Sequence, residues 1–284
     1  MPHRIDKSNY DPLHIKKNKI EKMLKPGSEY TILNKAFCFL PGNRLPMQSA
    51  GNSFLGKTQN FIKRYGRIYY ALLHCFAPVL GSYAHKNGLK KLLEKYGSKD
   101  IILNIGSGPA FLFNRKEIIN LDIFAFDEVD IVADATNLQI KDESVDCIIN
   151  IAMMEHVPRP DRVVREMHRI LRKKGEFFCY LPFMPPFHAA PDDFYRWTIS
   201  GAREFFSEFN DVKVFVGSGP ASGFLWVFQE WISILLCFGS KTLHDILFLI
   251  LMILTWPIKF LDLFMVHLPY AENIASGFCI TGKK

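Results

Sequence analysis

The densest group of chemically capable side chains lies in Pro182-Phe-Met-Pro-Pro-Phe-His188-Ala-Ala-Pro-Asp192-Asp-Phe-Tyr-Arg196-Trp-Thr198. An imidazole changes charge near neutrality, so His188 is the first candidate for a general base, with Asp192 and Asp193 as alternatives or as groups that orient the ring. Phe187, Tyr195 and Trp197 offer ring faces that can shield a cation or stack on a ligand. Structural roles compete with these. His188 could tie the loop down by hydrogen bonding, Asp193 or Thr198 could cap a following helix, and Arg196 could pair with Asp192.

A second group reads as a cofactor cradle. Ile101-Ile-Leu-Asn-Ile-Gly-Ser-Gly108 is a short apolar run ending in a glycine turn, where missing side chains let a ligand approach the backbone. Ile118-Ile-Asn-Leu-Asp122 ends in an acid able to accept hydrogen bonds from a ribose diol, and Asp130-Ile-Val-Ala-Asp134 ends in a carboxylate placed to meet an adenine amino group. A dinucleotide fold is the rival. Gly106-Ser-Gly-Pro-Ala-Phe111 lacks its third glycine, and no Tyr-x-x-x-Lys pair follows the fourth strand. No phosphate-binding Gly-x-x-x-x-Gly-Lys-Ser/Thr occurs.

The elements that must hold these groups follow from periodicity. Strands are expected at 101–105, 118–122, 130–133, 145–151, 176–181 and 212–216, and helices at about 160–173 and 198–207. Val163, Val164, Met167, Ile170 and Leu171 form the stripe of the first helix, and Gly175 reads as its terminator. The alternation implies an α/β fold with a mostly parallel sheet. Residues 1–60 read as a loose basic arm with one helix around 13–24. Residues 61–96 read as a helical extension broken at Pro78 and Gly81, and 97–284 as the main domain.

Composition adds a bias toward apolar surroundings. The chain has 284 residues, 49% of them hydrophobic, with 25 Phe, and a mean hydropathy of +0.05. Residues 1–99 carry a net charge of +13 and residues 100–284 a net of −6. A basic face can meet anionic lipid, phosphorylated substrates or nucleic acid, or simply keep a greasy chain soluble. Six cysteines with no Cys-x-x-Cys pair, and no charged start leading into an apolar run, predict a reduced cytoplasmic setting. Neither structural zinc nor any other metal is expected.

Asn104-Ile-Gly-Ser-Gly108, Asn120-Leu-Asp122, Ala133-Asp-Ala135, Ser144-Val-Asp-Cys-Ile-Ile-Asn150, Met154-Glu-His-Val157 and Glu166-Met-His-Arg-Ile-Leu-Arg-Lys-Lys-Gly175 stand in order. The set resembles class I S-adenosylmethionine-dependent methyltransferases, above all the bacterial type 11 methyltransferase domain, from about Leu89 to Lys284. The resemblance implies a Rossmann-like seven-stranded sheet with an antiparallel last strand, here Ile274–Thr281, and S-adenosyl-L-methionine as cofactor. It implies that Gly106 and Gly108 meet the methionine end of the cofactor, Asp122 the ribose, and Asp134 with Ala135 the adenine. Asn104, Ser107, Ile123, Asn150 and Ile151 complete the expected contacts. His156 would shape the pocket, while Glu155 reads as structural. Two departures stand out: Asn104 replaces the family's usual acid and Ala110 its third glycine, and few residues remain for the helix after the turn.

About sixty residues precede the last strand where a short connection would do. They include Phe224–Phe238 and Thr242–Pro257, apolar on nearly every side but interrupted or flanked by Gln229, Glu230, His244, Asp245, Lys259 and Asp262. Neither reaches the roughly 20 clean residues of a membrane span. The expectation is a helical insertion over 224–268 dipping into one leaflet, with Trp226, Trp231 and Trp256 near the interface; a buried cap, an oligomer contact and true spanning helices are the alternatives. The acceptor would then be lipid-linked, a glycan intermediate or otherwise amphipathic, methylated at the cytoplasmic membrane surface. A soluble small-molecule methyltransferase and a membrane-bound scaffold with a degenerate pocket remain as rivals. Nucleic acid is disfavoured as a partner, because no Asn/Asp-Pro-Pro-Tyr/Phe motif occurs and the aromatics do not alternate with Arg and Lys.

Overall fold

Apolar runs of four to seven residues alternate with amphipathic helices, and in the computed structural model they form one sheet with helices on both faces. The structure describes residues 12–41, 75–109, 115–188 and 192–284. The rest of the basic arm, the first helical piece up to residue 74 and Ala110 lie outside these. The strands are β1 (Thr31–Leu33), β2 (Ala36–Cys38), β3 (Ile102–Ile105), β4 (Ile119–Asp122), β5 (Ile131–Val132), β6 (Val145–Ile151), β7 (Leu171–Pro182), β8 (Asn210–Ser218) and β9 (Gly277–Lys283). The helices are α1 (Pro12–Met23), α2 (Tyr83–Glu94), α3 (Pro160–Ile170), α4 (Ile199–Phe205), α5 (Pro220–Leu236), α6 (Lys241–Thr255) and α7 (Asp262–Met265).

Their order across the sheet is β1-β2-β5-β4-β3-β6-β7-β9-β8. β5, β4, β3, β6 and β7 run parallel, and β9 is antiparallel to both β7 and β8. These are the seven expected strands, in a Rossmann-like class I methyltransferase arrangement. The chain reverses its direction of travel between β3 and β6, and ligands of open α/β sheets bind at the carboxyl ends of strands flanking such a reversal.

Two further strands extend the sheet. β1 and β2 form a hairpin, and β2 lies parallel to β5. The turn uses Asn34 and Lys35, both at positive φ (48° and 68°). Without the Asn-Gly pair that usually announces such a turn, these residues read as part of a loose arm.

Burial explains the two faces. Every residue of β3 and β4 is buried, as expected of parallel strands covered on both sides. Leu89, Leu92 and Leu93 of α2 pack with Ile102, Ile149 and Phe178 on one face. Val163, Val164, Met167 and Ile170 of α3 join Leu103, Ile148 and Phe177 on the other. Each such side chain contributes about 1.5–3 kcal/mol of hydrophobic stabilisation.

α3 ends sooner than the sequence suggests. Leu171 is already extended and pairs with Val145, so Ile170 is the last helical residue. Gly175 lies within β7, packed on Leu171, and terminates nothing. Apolar periodicity could not separate a helical Leu171 from one starting a strand. The second helical piece of the extension begins only at Tyr83, because Gly81 bridges to Ser218 and Ser82 caps α2 by accepting from the His85 amide.

Between β8 and β9 the chain leaves the sheet as a helical hairpin, α5 and α6. Its interior is polar. Gln229 donates to Thr255 Oγ1 at 2.8 Å, His244 Nε2 lies 3.2 Å from Glu230, and Ser222, Gln229 and Ser233 are fully buried. Its exterior is apolar: Trp231, Ile234, Leu235, Ile250, Ile253 and Leu254 are exposed, and no residue of α6 is buried. Helical structure continues through Pro257, so Lys241–Met265 is long and apolar enough to cross a membrane by length and composition. Its last third, however, is locked to the domain. Lys259 Nζ donates to the Cys75 and Ala77 carbonyls, and Asp262 accepts from the Ala221 and Ser222 amides, capping α5.

Candidate functional site

The strand registers bring the chemistry together. Ile105 stands opposite Leu121 and Asn150, so the turn at Gly106 falls beside the ends of β4 and β6. Gly106 has φ +72°, and a Cβ there would stand 2.3 Å from Met153 Cγ. Gly108 has φ +59° and, among the described residues, nothing within 4 Å of where its Cβ would be. Only glycine adopts both conformations cheaply. The turn borders a cavity of about 590 Å³.

Gly106, Gly108, Asp122, Ile123, Asp134 and Ala135 line this cavity, as does Asp192. Asp122 Oδ2 accepts from the Gly108 amide at 2.8 Å and Oδ1 from the Phe124 amide at 2.9 Å, and the Ile123 amide also bonds to this carboxylate. Burial raises its pKa above the usual carboxylate value, against the pull of those amides. Asp134 Oδ1 accepts from the Thr136 amide and hydroxyl, which fixes the carboxylate at the rim. Ala152, at φ +51°, and Met153 close the β6 side. Phe124, Phe126 and Phe194 supply aromatic walls that the sequence reading did not single out. The first two follow Asp122 closely, which was the available signal; Phe194 had none beyond the aromatic loop.

Four expected contacts lie elsewhere. Asn104 Nδ2 donates to Asn120 Oδ1 at 3.2 Å, a buried link between β3 and β4. Ser107 Oγ donates to the Gly108 carbonyl, and Asn150 Nδ2 to the Ile105 carbonyl. Ile151 packs on the α2 side of the sheet. None of the four lines the cavity.

The loop after β7 divides its roles. Asp193 is a structural anchor: its side chain is 1% exposed, paired through both oxygens with Arg196 at 2.5 and 2.6 Å, and accepts from the His188 amide. Burial alone would raise its pKa, but Arg196 and that amide outweigh it and hold the carboxyl at about 2. Arg196 thus pairs with Asp193, and Thr198 caps α4. Trp197 is buried against Phe205, whereas Phe187 is 75% exposed; neither borders the cavity.

His188 stands one ring behind the cavity. Its ring centroid lies 5.3 Å from that of His156, which lines the cavity, and 5.3 Å from that of Trp226 on α5. Trp226 therefore faces the loop and not a lipid interface. Burial lowers the His188 pKa below the ordinary imidazole value, which favours the neutral ring. His156 Nδ1 donates to the Asp192 carbonyl at 2.6 Å. Glu155, expected to be structural, is fully buried beside both imidazoles, and desolvation raises its pKa to about 7.

A glycine turn, two strand-ending acids and a cavity thus meet where the sheet reverses. Residues 104–179 match the family model described as a methyltransferase domain. The chain thus carries an S-adenosylmethionine-dependent methyltransferase domain, and its cofactor is S-adenosyl-L-methionine.

Among solved structures, the chain is similar to an S-adenosylmethionine-dependent methyltransferase from Thermotoga maritima, at 17% identity and TM-score 0.46, covering 80% of this chain and 97% of that one. It is similar to a phosphoethanolamine N-methyltransferase from Haemonchus contortus, at 14% identity and TM-score 0.45, covering 80% of this chain and 59% of that one. An S-adenosylmethionine-dependent methyltransferase from Archaeoglobus fulgidus aligns at 16% identity and TM-score 0.42, covering 81% and 94%. No curated protein matches the chain in sequence.

Proposed function

We propose that this methyltransferase acts on an amphipathic acceptor, lipid-linked or a glycan intermediate, while its apolar hairpin rests in the cytoplasmic face of a membrane. The observation that carries this reading is the inverted hairpin. Its polar groups pair with one another inside and its large apolar side chains face outward. That arrangement is unfavourable in water and natural in lipid. The protruding helix α6 has 15 residues, about 22 Å, short of the roughly 30 Å of a hydrocarbon core. Such a length favours insertion into one leaflet over crossing.

The residues present suit the cofactor. Among the described residues the space over Gly108 is open to a ligand against the backbone, and the Asp122 carboxylate on the cavity wall suits a ribose diol. Asp134 and Ala135, also on the cavity wall, are the groups we assign to adenine. Bound there, the cofactor supplies an electrophilic methyl group on a sulfonium. The protein's task is then to align the acceptor and remove its proton. Asp192 and His156 are the polar groups on the cavity wall suited to that end, with His188 supporting His156 from behind.

Two measurements test the reading. Calorimetric titration should show S-adenosylmethionine binding that Asp122→Ala weakens; no binding at millimolar ligand would favour a scaffold role. The protein should float with anionic liposomes and lose flotation when Leu235, Ile250 and Leu254, all exposed, are changed to Glu. A triple variant that binds cofactor and still floats would remove the membrane proposal and leave a soluble small-molecule enzyme.

A further inference from the structure

Glu155 has a side chain with 0% exposure, and neither carboxylate oxygen has a hydrogen-bond partner among the described residues. An uncompensated buried carboxylate costs several kcal/mol, so its neighbours matter. Two imidazoles face it. His156 Nε2 lies 3.9 Å and His188 Nε2 4.0 Å from the same oxygen, Glu155 Oε1, both beyond hydrogen-bond range.

The tautomers follow from the other ring nitrogens. His156 Nδ1 contacts the Asp192 carbonyl at 2.6 Å and must donate to it. His188 Nδ1 lies 2.9 Å from the Pro186 carbonyl and 3.2 Å from Arg196 Nη2. That Arg196 nitrogen already donates to Pro186 O and Asp193 Oδ2, at 2.8 and 2.6 Å, which uses both its protons. His188 Nδ1 therefore donates to Pro186. Both Nε2 atoms are then left with lone pairs turned toward the carboxylate. Three electron-rich atoms, one from each side chain, then lie within 4.8 Å of one another.

We infer that Glu155, His156 and His188 form a binding site for a divalent transition-metal ion such as Zn²⁺, Co²⁺, Fe²⁺ or Mn²⁺. Metal–nitrogen and metal–oxygen bonds of about 2.1 Å separate tetrahedral ligands by about 3.4 Å, so the 3.9 and 4.0 Å to Glu155 require closure of about half an ångström, and the two imidazole nitrogens, within 4.8 Å of each other, require at most about 1.4 Å. Two imidazoles with one carboxylate suit these ions over Ca²⁺ or Mg²⁺, which prefer all-oxygen sites. The carbonyls of Asp192 and Pro186 hold the rings in the ligating tautomer, as second-shell partners do in metal sites. Three protein ligands leave a position for a fourth ligand, and one of the three, His156, lines the cavity together with Asp192.

The role of the ion rests on the methyltransferase reading, although its binding does not. An acceptor hydroxyl taking the open position would become more acidic, and its proton would pass to the Asp192 carboxylate, leaving the oxyanion on the metal.

The test uses the untagged full-length protein, stripped with chelator and desalted. Titration with Co²⁺, followed by visible absorption and by calorimetry, should show one ion per chain. Glu155→Gln and His188→Gln should each weaken binding by more than about tenfold, while His267→Gln, at an exposed position, should not. S-adenosylmethionine titration of each variant, together with circular dichroism, reports whether the fold survives. No stoichiometric binding, or Co²⁺ affinity unchanged in both Glu155→Gln and His188→Gln, overturns the metal site. Cofactor binding without Co²⁺ binding would leave Glu155 as a buried carboxylic acid in a working methyltransferase. Co²⁺ binding without cofactor binding would sink the methyltransferase reading and leave the metal site standing.

Discussion

The ring of His188 lies 5.3 Å from that of Trp226, tilted by 35°, and this contact joins the apolar hairpin to the wall of the cofactor cavity. His156 packs edge-on against the other side of His188 and lines the cavity. A shift of the hairpin would therefore reach His156 on the cavity wall through His188. Replacing Trp226 by Ala should lower methyl transfer to membrane-extract acceptors about tenfold, since small misplacements of aligning groups are costly. Cofactor affinity should stay unchanged. Labelled-methyl transfer and calorimetry measure the two, and a loss of cofactor binding would mean that Trp226 serves the fold instead.

His188→Ala removes the support behind His156 and one face of Glu155. Turnover should fall at least about a hundredfold, the size of a lost acid–base or ligand group, with cofactor affinity retained. Near-normal turnover would confine His188 to holding the loop through Pro186.

The two cavity glycines should respond differently. Alanine at either position occupies a left-handed conformation, a strain of about 1–2 kcal/mol. At Gly106 the new Cβ also stands 2.3 Å from Met153 Cγ, whereas at Gly108 it meets open space. Gly106→Ala should therefore lower the unfolding temperature more than Gly108→Ala. Gly108→Ala should act mainly on S-adenosylmethionine affinity, by filling space a ligand would use. Equal melting temperatures for the two variants would show that Met153 yields freely.

His85 sets a pH dependence of stability. Its ring packs against Phe178 and Tyr180, and burial, aided by the Lys86 charge, pushes its pKa down to about 4. An unfolded histidine titrates near 6.5, so between these values the unfolded chain binds more protons than the folded one. Stability should be unaffected by this group above pH 6.5 and be lost as pH falls toward 4, by up to about 3 kcal/mol. Urea unfolding at pH 7.5, 6 and 4.5 measures the loss, and His85→Phe should flatten it. An identical slope in that variant would assign the effect to other groups.

Local signals marked several residues that line the cavity. Gly106, Gly108, Asp122 and Asp134 announce themselves because each ends an apolar run, and a strand-ending residue falls at the sheet edge wherever the strand is placed. The β1–β2 hairpin escaped because its turn, Asn34-Lys35, lacks a glycine at either positive-φ position. The end of α3 escaped because Leu171 is apolar in a helix and in a strand alike.

What the sequence determined by itself was therefore the order of strands, the glycine turn, the acids beside it and the presence of a greasy segment before β9. All of these depend on residues close together in the chain. Which histidine faces the cavity, that Asp193 is spent on Arg196, and that Glu155 stands unpartnered between two imidazoles were decided by tertiary structure. The loop at 192–197 docks on the turn at 154–156 through the Phe194 amide and Glu155 carbonyl, and through His156 and the Asp192 carbonyl. Hydrogen bonds spanning nearly forty residues leave no periodicity in a sequence. The polar seam of the hairpin is likewise a pairing of Gln229 with Thr255 and Glu230 with His244, set by how two helices rotate against each other.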